Sequence, residues 1–172
     1  MEFYFKVPLL VFSTKEISVN NRKGEKICGL SRWHKNFSLT KRYNFKVSDK
    51  TGNTIVSSEM RDDHFKNPSW DVQFGDALQY NLDMWCETKS PTHPRYYFVY
   101  KGMKHMIKRN IGNSTTYVYN NDNEEIAQYS YKYNGLNLLR PLYKIRKTNE
   151  TDLPIELIVC LLRCYETASK SA

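Results

Sequence analysis

The carboxyl-terminal segment DLPIELIVCLLRCYET, residues 152–167, is the most apolar stretch of this chain. Between Ile155 and Leu162 apolar residues cover every face of a helix, so such a helix must be buried on all sides. It is too short to cross a bilayer, which takes about 20 apolar residues. We predict a helix at about 152–167, with Asp152 as its cap and Pro154 in its first turn.

Two earlier stretches repeat one hairpin pattern. ISVNNRKGEKICGL, 17–30, and FKVSDKTGNTIVSS, 45–58, align without gaps, and both place a polar turn before a glycine, Gly24 or Gly52. Alternating β-branched and aromatic residues around such a turn are typical of a β-hairpin. A looser copy at 117–131 has asparagines at the turn, and asparagine is the residue that tolerates the left-handed conformation best after glycine.

Further strands are predicted on both sides of these repeats. Residues 95–110 indicate a hairpin that turns at Lys101 and Gly102, and residues 136–147 alternate as a late strand despite Pro141. We predict a long loop at 62–75, where Pro68 lies among polar residues.

The count of short segments from Phe3 to Lys147 gives about a dozen strands. A sheet that closes on itself around the apolar helix would bury that helix and leave no exposed strand edge. We therefore predict a mainly β protein: a closed antiparallel barrel of about twelve strands around a buried carboxyl-terminal helix, forming one domain over residues 1–172.

The chain combines a succession of hairpins, with turns like DKTGN at 49–53, and the apolar helix DLPIELIVCLLRCYE at 152–166. This pattern resembles the tubby C-terminal-like superfamily. That superfamily includes the LURP-one-related proteins, the phospholipid scramblases and small bacterial relatives. The resemblance implies a twelve-stranded barrel threaded by a hydrophobic helix. The chain lacks the signature ending of true tubby proteins and the acidic calcium-binding segment of the scramblases, so neither lipid specificity nor calcium dependence is carried over.

Composition favours an anionic partner. The formal net charge is +8, from 26 cationic and 18 acidic residues, which makes nucleic acid, an anionic membrane surface or an acidic protein easier to approach. Four scattered cysteines and an early Glu2 argue against a disulfide scaffold and a secretory leader. We expect a cytoplasmic protein, peripheral at the membrane if it binds lipid.

Few residues point to catalysis or to a cofactor. Cys160 and Cys164 share a helix face but lack further ligands at zinc spacing, so we interpret them as buried fillers. Asp62, Asp63 and His64 are interpreted as a solvated loop, and His105 as an inward-facing residue. No catalytic motif is found, and we predict no metal, no cofactor and no enzymatic activity.

Cations on two predicted strands indicate a candidate site for an anionic ligand. On the late strand Arg140, Lys144 and Arg146 share one face with Leu142, and in the preceding hairpin Lys104 and Lys108 flank Met106. Cations mixed with apolar residues suit an anionic lipid surface, although outward lysines also discourage strand aggregation. We predict these five cations as the anionic-ligand residues.

Three functions remain open. The first, which we favour, is non-enzymatic binding of an anionic partner such as a phospholipid headgroup at the inner membrane surface. The second is a protein–protein module such as an adaptor, inhibitor or immunity protein, because the 13 tyrosines could supply interface anchors. Nucleic-acid binding is the least favoured, since no RNA-recognition motif or zinc finger is present.

Overall fold

The computed structural model describes residues 1–7, 14–33, 43–61, 68–87, 94–110, 112, 114–132, 141–148 and 151–171. Within them lie twelve β-strands and one long α-helix. The strands are β1 Glu2–Lys6, β2 Ile17–Asn21, β3 Lys26–Trp33, β4 Asn44–Ser48, β5 Thr54–Met60, β6 Trp70–Phe74, β7 Tyr80–Cys86, β8 Tyr96–Tyr100, β9 Met103–Arg109, β10 Thr116–Tyr119, β11 Glu125–Lys132 and β12 Leu142–Lys147. The helix α1 spans Ile155–Ser171.

The strands form one closed barrel in which neighbours in sequence are neighbours in space. Every pair is antiparallel, and β1 closes the ring by pairing with β12, with Phe3 opposite Ile145 and Phe5 opposite Tyr143. Inward-facing side chains alternate with outward-facing ones along each strand, as the strand period of two requires. The predicted fold, a closed antiparallel barrel around a carboxyl-terminal helix, is confirmed.

Helix α1 fills the barrel. Every residue from Leu157 to Ala168 is buried, which agrees with the predicted all-round burial. The predicted bounds were wrong by a few residues at each end. Asp152 does not cap the helix, because its carboxylate pairs with Lys101 Nζ at 2.6 Å, and the first helical hydrogen bond runs from Ile158 N to Pro154 O at 3.1 Å.

The three repeated hairpins turn by one mechanism. In each, an Oδ1 atom accepts two backbone N–H groups inside the turn, at 2.8–3.0 Å, and the acceptors are Asn21, Asp49 and Asn120. Three residues later comes a residue with positive φ: Gly24 at 85°, Gly52 at 97° and Asn123 at 60°. The predicted substitution of asparagine for glycine in the third turn is therefore confirmed, as is the turn at Lys101 and Gly102.

The predicted loop at 62–75 was wrong over residues 70–74, and its residues 62–67 lie outside the described residues. Trp70–Phe74 is strand β6, with Trp70 and Val72 buried while Asp71 and Gln73 face solvent. The alternation was present in the sequence, but its outward positions are so polar that the segment looked like a loop. At the late strand, β12 starts immediately after Pro141, where the missing N–H costs no ladder bond.

Candidate functional site

Strand β12 presents the predicted cations on the outside of the barrel. Tyr143 and Ile145 are buried, so Lys144 and Arg146 face outward together with Leu142. The predicted alternation along this strand is confirmed. Arg140, the third cation predicted here, lies outside the described residues.

The two strands that pair with β12 place two further lysines beside it. Three cross-strand rows run over β11, β12 and β1: Lys132–Leu142–Lys6, Ser130–Lys144–Tyr4 and Gln128–Arg146–Glu2. Neighbouring strands lie about 4.8 Å apart, so Lys132 and Lys6 flank Leu142 at roughly 10 Å from each other. These nine residues are called the β12 surface below. Neither lysine was predicted: Lys6 reaches this surface through the pairing of β1 with β12, and Lys132 through the pairing of β11 with β12.

The β12 surface is strongly cationic. It carries Lys6, Lys132, Lys144 and Arg146 against a single carboxylate, Glu2. Glu2 Oε1 lies 2.6 Å from Lys144 Nζ, and Glu2 Oε2 accepts a 2.6 Å hydrogen bond from Tyr4. These hydrogen bonds lower the pKa of Glu2 to about 2 and raise the pKa of Lys144.

The β9 lysines face outward as predicted, but they are not adjacent to the β12 surface. His105 and Ile107 are buried on the opposite side of β9. Strands β10 and β11 lie between β9 and β12, a separation of about 14 Å. Lys108 shares one row with Arg146, through Tyr117 and Gln128. Lys104 lies farther along β9.

Lys104 lies in a small aromatic cluster that the sequence did not reveal. Its Nζ is 4.1 Å from the centroid of the Tyr97 ring and 2.8 Å from Glu87 Oε1. The indole Nε1 of Trp85 donates to the same Glu87 oxygen at 3.0 Å. Contacts with Lys104 and Trp85 lower the pKa of Glu87. These residues come from β7, β8 and β9, so only the strand pairing brings them together.

Of the remaining candidates, Cys160, Cys164 and His105 are buried. Cys160 and Cys164 are free and fully buried, and burial raises the pKa of the Cys164 thiol well above its usual value. No group of potential ligands that could hold a metal occurs among the described residues. His105 faces inward as predicted. Asp62, Asp63 and His64 lie outside the described residues.

Comparison with known proteins locates the chain in a family. Neither the curated proteins nor the solved structures gave a match. In the described part of the chain no helix has the length and apolar character needed to span a membrane. The family model of the tubby C-terminal like domain matches residues 3–167, and domains of this family are generally binding domains rather than enzymes. The twelve-stranded barrel, its central helix and this match together show that the chain belongs to the tubby C-terminal-like family.

Proposed function

We propose that this protein is a non-enzymatic domain that binds anionic phospholipid headgroups, and that the β12 surface makes the contact. The observation that carries the proposal is the ratio of four cations to one carboxylate over three adjacent strands. Each cation held near an anionic membrane contributes about 1 kcal/mol to binding. Binding at the cytoplasmic leaflet would make the protein peripheral at that membrane.

The neutral residues of the β12 surface support the same function. Leu142 lies between two lysines, and Tyr4 beside Lys144, so short apolar and aromatic contacts are interleaved with charge. Tyrosine is enriched where proteins meet the headgroup layer, because its ring is apolar and its hydroxyl is polar. A membrane surface offers partners for both kinds of group.

The test neutralises the surface without changing the fold. Lys132→Gln, Lys144→Gln and Arg146→Gln are combined, and the matched control combines Lys23→Gln, Lys46→Gln and Lys50→Gln, which lie outside the β12 surface. Both variants lose three positive charges. Flotation with phosphatidylserine–phosphatidylcholine vesicles should show at least tenfold weaker binding for the first variant and a much smaller loss for the control.

Equal losses of vesicle binding in the two triple variants would contradict the proposal that the β12 surface makes the contact, because binding would then depend only on net charge. Thermal melting of each variant checks that the barrel is intact. An oligonucleotide that bound more tightly than the vesicles would favour the nucleic-acid alternative instead.

A second function has one specific observation in its favour. Tyr80, Val99 and Met103 are 55%, 42% and 47% exposed, at neighbouring ends of β7, β8 and β9. Met103 is the first residue of β9, on the same side of the strand as the buried His105 and Ile107. Exposed aromatic and methionine side chains are typical of protein interfaces. As a protein–protein module, the wild type should co-purify with one stoichiometric protein that the Tyr80→Ser, Met103→Ser variant does not retain.

A further inference from the structure

The cluster around Lys104 has the geometry of an occupied anion site. Glu87 Oε1 receives two hydrogen bonds, from Lys104 Nζ at 2.8 Å and Trp85 Nε1 at 3.0 Å. The Tyr97 ring lies beneath the ammonium group at 4.1 Å, and the Trp85 ring is 5.8 Å from it. An ammonium and an indole N–H thus converge on one oxygen atom, and an aromatic ring packs against the ammonium.

The anion in this site belongs to the protein itself. Glu87 follows the end of β7, and its side chain is 46% exposed while that of Lys104 is 44% exposed. An exposed ion pair of this kind adds little stability, so an outside anion can compete for the lysine. The carboxylate can leave by rotating about its own side-chain bonds, with no change in the barrel.

From this geometry we propose that Lys104 and Trp85 form a second site for an anionic oxygen, such as that of a phosphate, and that Glu87 occupies it until the ligand displaces it. The site extends the proposed function, on which it rests, by adding a contact on β9 to those of the β12 surface. Lys108, whose row leads to Arg146, shares the outward face of β9 with Lys104. Glu87 thereby reduces the affinity for anionic partners.

The test replaces the competing carboxylate with a neutral group of the same shape. Glu87→Gln should bind phosphatidylserine–phosphatidylcholine vesicles about fivefold more tightly than the wild type, since one cation is released for the membrane. Glu16→Gln is the matched control, because Glu16, just before β2, pairs with Lys26 on β3 at 2.7 Å in a similarly exposed ion pair. It changes the net charge equally, and its effect should stay below twofold.

Trp85 gives a direct spectroscopic readout. In a Trp33→Phe background the remaining indoles are Trp85 and the fully buried Trp70. The fluorescence of Trp85 should change when a vesicle phosphate replaces Glu87 as the acceptor of its indole N–H. Adding Lys104→Gln to Glu87→Gln should cancel the tighter vesicle binding that Glu87→Gln gives alone. A change in Trp85 fluorescence with inorganic phosphate as well as with vesicles supports the site and indicates that it accepts free phosphate. A change with vesicles alone supports the site and indicates that it accepts phosphate only on a lipid.

Two results would overturn the second site while leaving the proposed function standing. One is an equal increase in vesicle affinity for Glu87→Gln and Glu16→Gln. The other is vesicle binding by the wild type with no change in Trp85 fluorescence. If no variant bound vesicles or phosphate at all, the second site and the proposed function would both fail.

Discussion

At the scale of single residues, His105 is held neutral inside the barrel. Its ring stacks on Phe98 with centroids 4.9 Å apart, and its Nδ1 lies 2.9 Å from Met103 O. Burial lowers the pKa of His105 below its usual value of 6.5, and this outweighs the opposing effects of Met103 O and of Asp152. The folded protein therefore resists protonation at this position.

This lowered pKa predicts a loss of stability in mild acid. As the pH falls through about 6.5, the unfolded chain takes up the proton before the folded one, so the free energy of unfolding decreases. Urea titrations from pH 7.5 to 5.5 should show a steeper decline for the wild type than for His105→Gln. Parallel declines would mean that His105 titrates alike in both states.

Some residue-scale features could be predicted from local sequence and others could not. Asn123 was predictable as a turn residue because the rule for positive φ involves only neighbours along the chain. The nearness of Glu87 to Lys104 depends on the pairing of β7, β8 and β9, and Lys6 reaches the β12 surface only because the barrel closes. No local pattern contains that information.

At the scale of elements, a buried charge network ties helix α1 to the barrel wall. Arg163 pairs with Glu166 on the helix, and both are almost fully buried. Glu166 also accepts hydrogen bonds from Tyr129 on β11 at 2.6 Å and from Tyr143 on β12 at 2.8 Å. These contacts fix both the rotation of the helix about its own axis and its position along the barrel axis.

Breaking this network from one side should be costly. Glu166→Ala leaves Arg163 buried without its carboxylate and removes the acceptor of two phenols, so the free energy of unfolding should fall by about 3–5 kcal/mol. Combining Arg163→Met with Glu166→Leu removes both charges and should recover at least half of that loss. Chemical denaturation measures the free energy of unfolding of both variants. A loss below about 1 kcal/mol for Glu166→Ala would contradict the stabilising role of this network.

The elements themselves followed largely from periodicity. The hairpins and the apolar helix were predictable because alternation and all-round apolarity are local signals. Strand β6 was missed because Asp71 and Gln73 fill its outward positions, and polar outward residues weaken the apparent strand pattern. The buried Arg163 and Glu166 were also missed, since the sequence did not show that two tyrosines would satisfy the carboxylate.

At the scale of the whole molecule, the +8 net charge is unevenly distributed. The row Glu59–Asp71–Asp83 crosses β5, β6 and β7, and Arg61 pairs with two of its carboxylates, Asp71 and Asp83. In the ring of strands β6 lies six positions from β12, so this acidic row is opposite the β12 surface. Such a distribution favours approach to an anionic surface in one orientation.

The most direct measurement is flotation of the wild-type protein with neutral and with anionic vesicles, at low and at physiological salt. We predict binding to phosphatidylserine-containing vesicles alone, weakened as salt screens the cations of the β12 surface. Equal binding to neutral vesicles, or no binding to anionic vesicles even at low salt, would contradict the proposal that this barrel recognises anionic phospholipid.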